Sequence, residues 1–180
     1  CMAEDMVFVP REQLLTLEEM SRIGRAFVHY GVSKIRLTGG EPLTRRNVLQ
    51  LCEDLGQLEG LRDFTITTNG SQLPKYAAAL KQAGITRINI SLDTLKPDRF
   101  KILTRTGEIE QTLKGIDAAL TQGFKRIKLN AVILKHRNHD EVIDLVVKKK
   151  YEVRKPFMLN ISLVMNFEKT FDKKSAKQAQ

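Results

Sequence analysis

Four short runs in this chain repeat one pattern, a β-strand apolar on one side and hydrophilic on the other, and segments of helical periodicity separate them. Successive strand side chains point to opposite faces, so Lys34, Arg36 and Thr38 share one face while Ile35 and Leu37 share the other. Residues 64–70 place Thr65, Thr67 and Asn69 together before Gly70 breaks the run. In residues 88–93 the row Ile88, Ile90, Leu92 opposes the row Asn89, Ser91, Asp93. In residues 127–133, Lys128 and Asn130 oppose Ile127 and Leu129.

The separating segments carry helix signals. Thr16-Leu17-Glu18-Glu19 has capping-box spacing and opens a helix that should stop at Gly31. Pro74 suits a first turn and Gly84 the end of that helix, and residues 108–122 read as a further helix closed by Gly123. Asn138 with Glu141 predicts a second capping box ahead of Val142 and Ile143. Strand and helix in alternation predict a parallel sheet.

A parallel sheet covered on both faces reads as continuous apolar strands, so four strands with one hydrophilic face each need another arrangement. Edge strands have a wet face, but four strands of one sheet cannot all be edges. A closed or partly closed barrel resolves this: its outer face packs on helices and its inner face surrounds a polar ligand near the carboxyl ends of the strands. The predicted fold class is therefore α/β, a partial (βα) barrel. Lys34 and Arg36, followed by Gly39 and Gly40 where backbone can approach a ligand, point to an anionic one.

The chain has 180 residues, enough for one sizeable core. No apolar run is long enough to cross a membrane and no secretory signal is visible, so cytoplasm is the expected location. Its net charge is +9, but residues 148–180 hold nine Lys or Arg against three Asp or Glu, so the basic character sits mainly there. No reader motif accompanies that charge, which argues against nucleic acid as a partner. Composition shifts near Val147, giving an expected domain over residues 1–147 and a divergent basic tail over 148–180. Two cysteines give no disulfide framework; Cys52 reads as a small buried thiol on a helix, while Cys1 stands where a translated chain ordinarily carries methionine. The chain is expected to be a fragment. His29, His136 and His139 read as surface or capping residues.

Cys1-Met2, Leu14-Leu15-Thr16, the run from Lys34 to Arg46, Thr67-Thr68-Asn69-Gly70, Ser91-Leu92-Asp93 and Lys128-Leu129-Asn130 occur in order at βα spacing. Together they resemble the GTP 3',8-cyclase family of molybdenum cofactor biosynthesis, which are radical S-adenosylmethionine enzymes. The resemblance covers residues 1 to about 147 and implies a partial radical S-adenosylmethionine barrel. In that family three cysteines hold a 4Fe-4S cluster through thiolates, and the free iron takes the amino and carboxylate groups of S-adenosylmethionine. Cys1 matches the third of them, so the resemblance implies a metal ligand at Cys1 and a chain that is inactive by itself. The implied chemistry is cleavage of S-adenosylmethionine by a cluster electron, hydrogen abstraction from the ribose of GTP, and closure of the sugar carbon onto the guanine. It also implies an external electron donor and a homodimer for the full-length parent.

By motif match, the resemblance assigns Gly39, Gly40 and Glu41 to S-adenosylmethionine, with Ser91 and Asn130 as further contacts. Arg36, Thr67 and Lys128 match the nucleotide side. Other readings stay open, namely another radical enzyme of the superfamily, or a non-catalytic nucleotide- or nucleic-acid-binding piece. Strand edges left without neighbours predict poor solubility of the isolated chain.

Overall fold

The computed structural model describes residues 10–145 and 160–165. Among the described residues five strands form one sheet, β1 (Lys34–Leu37), β2 (Asp63–Thr68), β3 (Arg87–Ser91), β4 (Ile127–Ile133) and β5 (Asn160–Met165). Every pairing is parallel and the spatial order equals the chain order. Among the described residues they are accompanied by α1 (Leu17–His29), α2 (Val48–Gly56), α3 (Leu73–Gln82), α4 (Pro97–Thr104) and α5 (Ile109–Thr121), and residues 142–145 are helical too. Crossovers between parallel strands are right-handed, so a chain that always advances one strand in the same direction lays its helices on one face of the sheet.

The core bears this out. Ile66, Ile88, Ile90 and Leu129 from the strands are 2% exposed or less, in one apolar cluster with Leu51 and Leu55 of α2, Leu73 and Leu80 of α3, Phe100 of α4 and Ile116 of α5. Strand β4 alternates between buried and half-buried along its whole length, with Ile127, Leu129, Ala131 and Ile133 on the helix side. Burying such side chains stabilises by about 1.5–3 kcal/mol each before chain entropy is counted.

Local signals explain most boundaries. Thr16 caps α1: its hydroxyl accepts from the Glu19 amide at 3.1 Å, and the Thr16 amide donates to the Glu19 carboxylate at 2.8 Å. Pro74 lies in the first turn of α3, and Glu108 and Gln122 bracket α5. Three features differ from the sequence reading. No helix was anticipated over Pro97–Thr104, a short element with a single buried residue, Phe100. The second capping box does not form, because Asn138 turns its side chain to distant backbone and Glu141 is held by Thr94, Leu95 and Arg99. Residues 160–165, inside the expected tail, form β5 alongside β4. Their order Asn-Ile-Ser-Leu continues the period-two alternation, which the surrounding basic charge obscured.

Candidate functional site

Register decides which side chains share the face opposite the helices. Arg36 pairs with Thr65, and Thr65 with Arg87. Thr67 pairs with Asn89, Asn89 with Lys128, and Lys128 with Asn160. Ser91 pairs with Asn130, and Asn130 with Ser162. Paired residues of adjacent strands point to the same side, about 4.8 Å apart. Arg36, Thr67, Lys128, Ser91 and Asn130 therefore lie on one face, over four neighbouring strands.

Their surroundings separate them from the structural polar groups. Arg36 and Ser91 are exposed, and Thr67, Lys128 and Asn130 are half-buried. Among the described residues, the side chains of Arg36, Ser91, Lys128 and Asn130 make no hydrogen bond or ion pair, and Thr67 only accepts from the Asn89 amide at 3.4 Å. An Arg36–Glu41 ion pair, the structural alternative for Arg36, is not formed. Unpaired cations on a sheet face are available to an anion; a guanidinium meets phosphate in a fork and an ammonium as a point charge.

The loops at the carboxyl ends are pinned by the hydrogen bonds of a few polar side chains. Glu41 follows the two glycines, and its oxygens accept from the Leu43 amide at 3.1 Å, the Thr68 hydroxyl at 2.8 Å and the Asn69 amide at 2.6 Å. It thereby ties the loop after β1 to the end of β2, leaving at most one lone pair for a ligand. Gly39 has φ of 157°, and a Cβ added there would meet nothing within 4 Å, so its backbone borders open space. After β3, Asp93 accepts from the Val132 amide at 2.8 Å, while Asn138 donates to the carbonyls of Asp93 and Val132 and accepts from the Leu134 amide. The polar row that begins with Asn89 and Ser91 thus ends in Asp93, one oxygen of which clamps β4.

Cys1 lies outside the described residues. Cys52, on α2, is fully buried, and that burial pushes its thiol up to about 12, with the nearby Glu53 adding to the shift. Cys52 lies within the apolar cluster between the helices and the sheet and so does not fit an iron site. Among the described residues no three His, Cys, Asp or Glu gather as a metal cluster would require. The described residues do not by themselves hold an iron–sulfur cluster.

The fold is similar to that of HydG, a maturase of the FeFe-hydrogenase. That match has a TM-score of 0.63 over 85% of this chain and 36% of the other, at 14% identity, and it is a likeness of fold. The profile of the Radical SAM superfamily matches residues 1–147, and the chain belongs to that family. It is 60% identical over 146 residues to GTP 3',8-cyclase 1 of Pseudomonas aeruginosa and 58% identical over 146 residues to GTP 3',8-cyclase of Marinobacter nauticus. In each case the match covers 81% of this chain and 44% of the relative, so the chain spans less than half the length of the curated relatives it matches. The α/β fold and the family expected from the sequence are both as found.

Sequence reasoning missed Asn89 as more than a member of the polar row, although it lies centrally between Thr67 and Lys128. It also missed Asn138 and Glu141 as loop pins. Their spacing carried a local meaning, and only the fold supplies the distant partners.

Proposed function

We propose that this chain is part of a GTP 3',8-cyclase, an enzyme of molybdenum cofactor biosynthesis that converts GTP to a cyclised dihydroguanosine triphosphate. The observation that carries this reading is the set of hydrophilic side chains on one sheet face, with Arg36, Thr67 and Lys128 toward one end of the rows and Ser91 and Asn130 at the carboxyl end, all but Thr67 without a hydrogen-bond partner among the described residues. The names of relatives at 56–60% identity support the choice of nucleotide.

In this reading Arg36 and Lys128 bind the triphosphate, and Thr67 offers a hydroxyl to the nucleotide. Ser91 and Asn130 hold S-adenosylmethionine at the mouth of the sheet, where the backbone of Gly39 and Gly40 approaches its amino and carboxylate groups. Glu41 keeps that backbone in place through Thr68 and Asn69 and has one acceptor position left for the ammonium. When bound, a 4Fe-4S cluster with S-adenosylmethionine supplies one-electron chemistry, drawing on an external electron donor. The hydrophilic face orients both ligands, and the apolar layer behind it keeps the strands rigid. Cys1 is the candidate cluster ligand within the chain, and one thiolate does not hold four irons; these 180 residues are inactive without further cysteines.

The test is nucleotide binding by the intact protein. Arg36→Ala should weaken GTP binding by about 1–3 kcal/mol, since a charge-assisted contact is lost. Unchanged affinity would assign the chain to another reaction of the superfamily.

A further inference from the structure

Two buried polar side-chain atoms among the described residues lack a hydrogen-bond partner, Nε of Arg87 and Oδ1 of Asn89. Both belong to β3 and to its hydrophilic face. Arg87 lies at the amino end of the sheet, one row before Asn89, where its Nη2 pairs with the Asp63 carboxylate at 3.2 Å and its Nε keeps no partner. Asn89 is 2% exposed, its Nδ2 donates to the Thr67 hydroxyl at 3.4 Å, and its carbonyl oxygen has nothing to accept from. Buried side-chain acceptors almost always have a partner, and one without asks for an explanation. Whichever way the amide is turned, Thr67 satisfies one end of it only.

We propose that Asn89 accepts a hydrogen bond from a ribose hydroxyl of the nucleoside triphosphate and so selects ribonucleotides at this face; the inference rests on the nucleotide reading above. Phosphate oxygens are acceptors, and a bare carbonyl repels them, so the partner is a donor group. Asn89 is one strand spacing from Lys128 on one side and from Thr67 on the other. With the triphosphate on Lys128 and Arg36, the first donors along the ligand are the hydroxyls of the sugar bonded to it; the donors of the base lie further off. Ser91, two residues on along the same face, is the expected cofactor contact, which puts the sugar between the two ligands. Thr67 acts as the anchor that turns the carbonyl oxygen toward the sugar.

The experiment is equilibrium dialysis of GTP, 2'-deoxy-GTP and 3'-deoxy-GTP against the full chain and its Asn89→Leu and Asn89→Asp variants, with circular dichroism as the folding check. The unaltered chain should favour GTP over one of the deoxynucleotides by about 5–10-fold, the worth of one hydrogen bond. Asn89→Leu should weaken GTP by a similar factor and erase the preference. Asn89→Asp keeps an acceptor, so it should bind all three nucleotides more weakly and still discriminate. A preference that survives Asn89→Leu overturns the inference and leaves the nucleotide reading intact. If the leucine variant does not fold, loss of discrimination in the aspartate variant overturns it instead. Absence of GTP binding by the unaltered chain sinks the nucleotide reading itself, and this inference with it.

Discussion

Glu141 is 1% exposed, an uncommon place for a carboxylate. Burial works to raise its pKa. Hydrogen bonds from the Thr94 hydroxyl at 2.7 Å, the Leu95 amide at 2.8 Å and the Arg99 guanidinium outweigh it and hold the group below the usual glutamate range. Arg99 and Lys96 hold the neighbouring Asp140 well below its ordinary value in the same way. Both folded-state values are depressed, so the unfolded chain binds more protons in acid. The stabilisation is complete above the ordinary carboxylate range and is lost as pH falls through the folded-state values. Melting temperature should therefore be level near neutral pH and drop below about pH 4.5. Glu141→Gln should cost about 1–3 kcal/mol at pH 7 and flatten the acid slope in a thermal melt series; an unaltered slope would assign the acid sensitivity elsewhere. This residue also marks a limit of sequence reading. Asn138 and Glu141 have capping-box spacing, but their partners Asp93, Thr94 and Arg99 lie more than 40 positions away and decide what the side chains do.

Among the elements, α5 packs against the loop that follows β2. A Cβ built on Gly115 would lie 2.0 Å from the carbonyl oxygen of Gly70, and the Thr112 hydroxyl donates to the Asn69 carbonyl at 3.0 Å one turn earlier. The helix thus rests directly on the loop after β2, the same loop that Glu41 grips from the other side. Gly115→Ala has no flexible side chain to displace and must push α5 outward, at a cost of about 1–3 kcal/mol. Chemical denaturation would measure it, and a neutral result would show that the helix has slack. Strands β1 to β4 and helices α1, α3 and α5 were legible because each has two-faced alternation or terminal caps in its own sequence. Helix α4 was not, since a single buried residue leaves no periodicity to read. Strand β5 has the alternation, but it sits among basic residues that gave the segment the look of a tail. The candidate site followed the same logic: parity along a strand reveals which residues share a face, and only register reveals which lie side by side.

At the scale of the molecule, among the described residues β1 and β5 each have one strand neighbour. Unpaired strand edges template association. Ile23, Phe27 and Tyr30 of α1 and its flank also lie exposed at one-turn and two-turn spacing. The isolated 180-residue chain should self-associate as concentration rises, and sedimentation velocity will show it. A monomer with a sharp, reversible melt would refute this. No helix among the described residues is long and apolar enough to cross a membrane. The division of each strand between packing residues and residues of the hydrophilic face has an evolutionary corollary. A change at Arg36, Ser91 or Lys128 leaves the interior packing untouched, so such a scaffold can drift toward new substrates one position at a time without first acquiring spare stability.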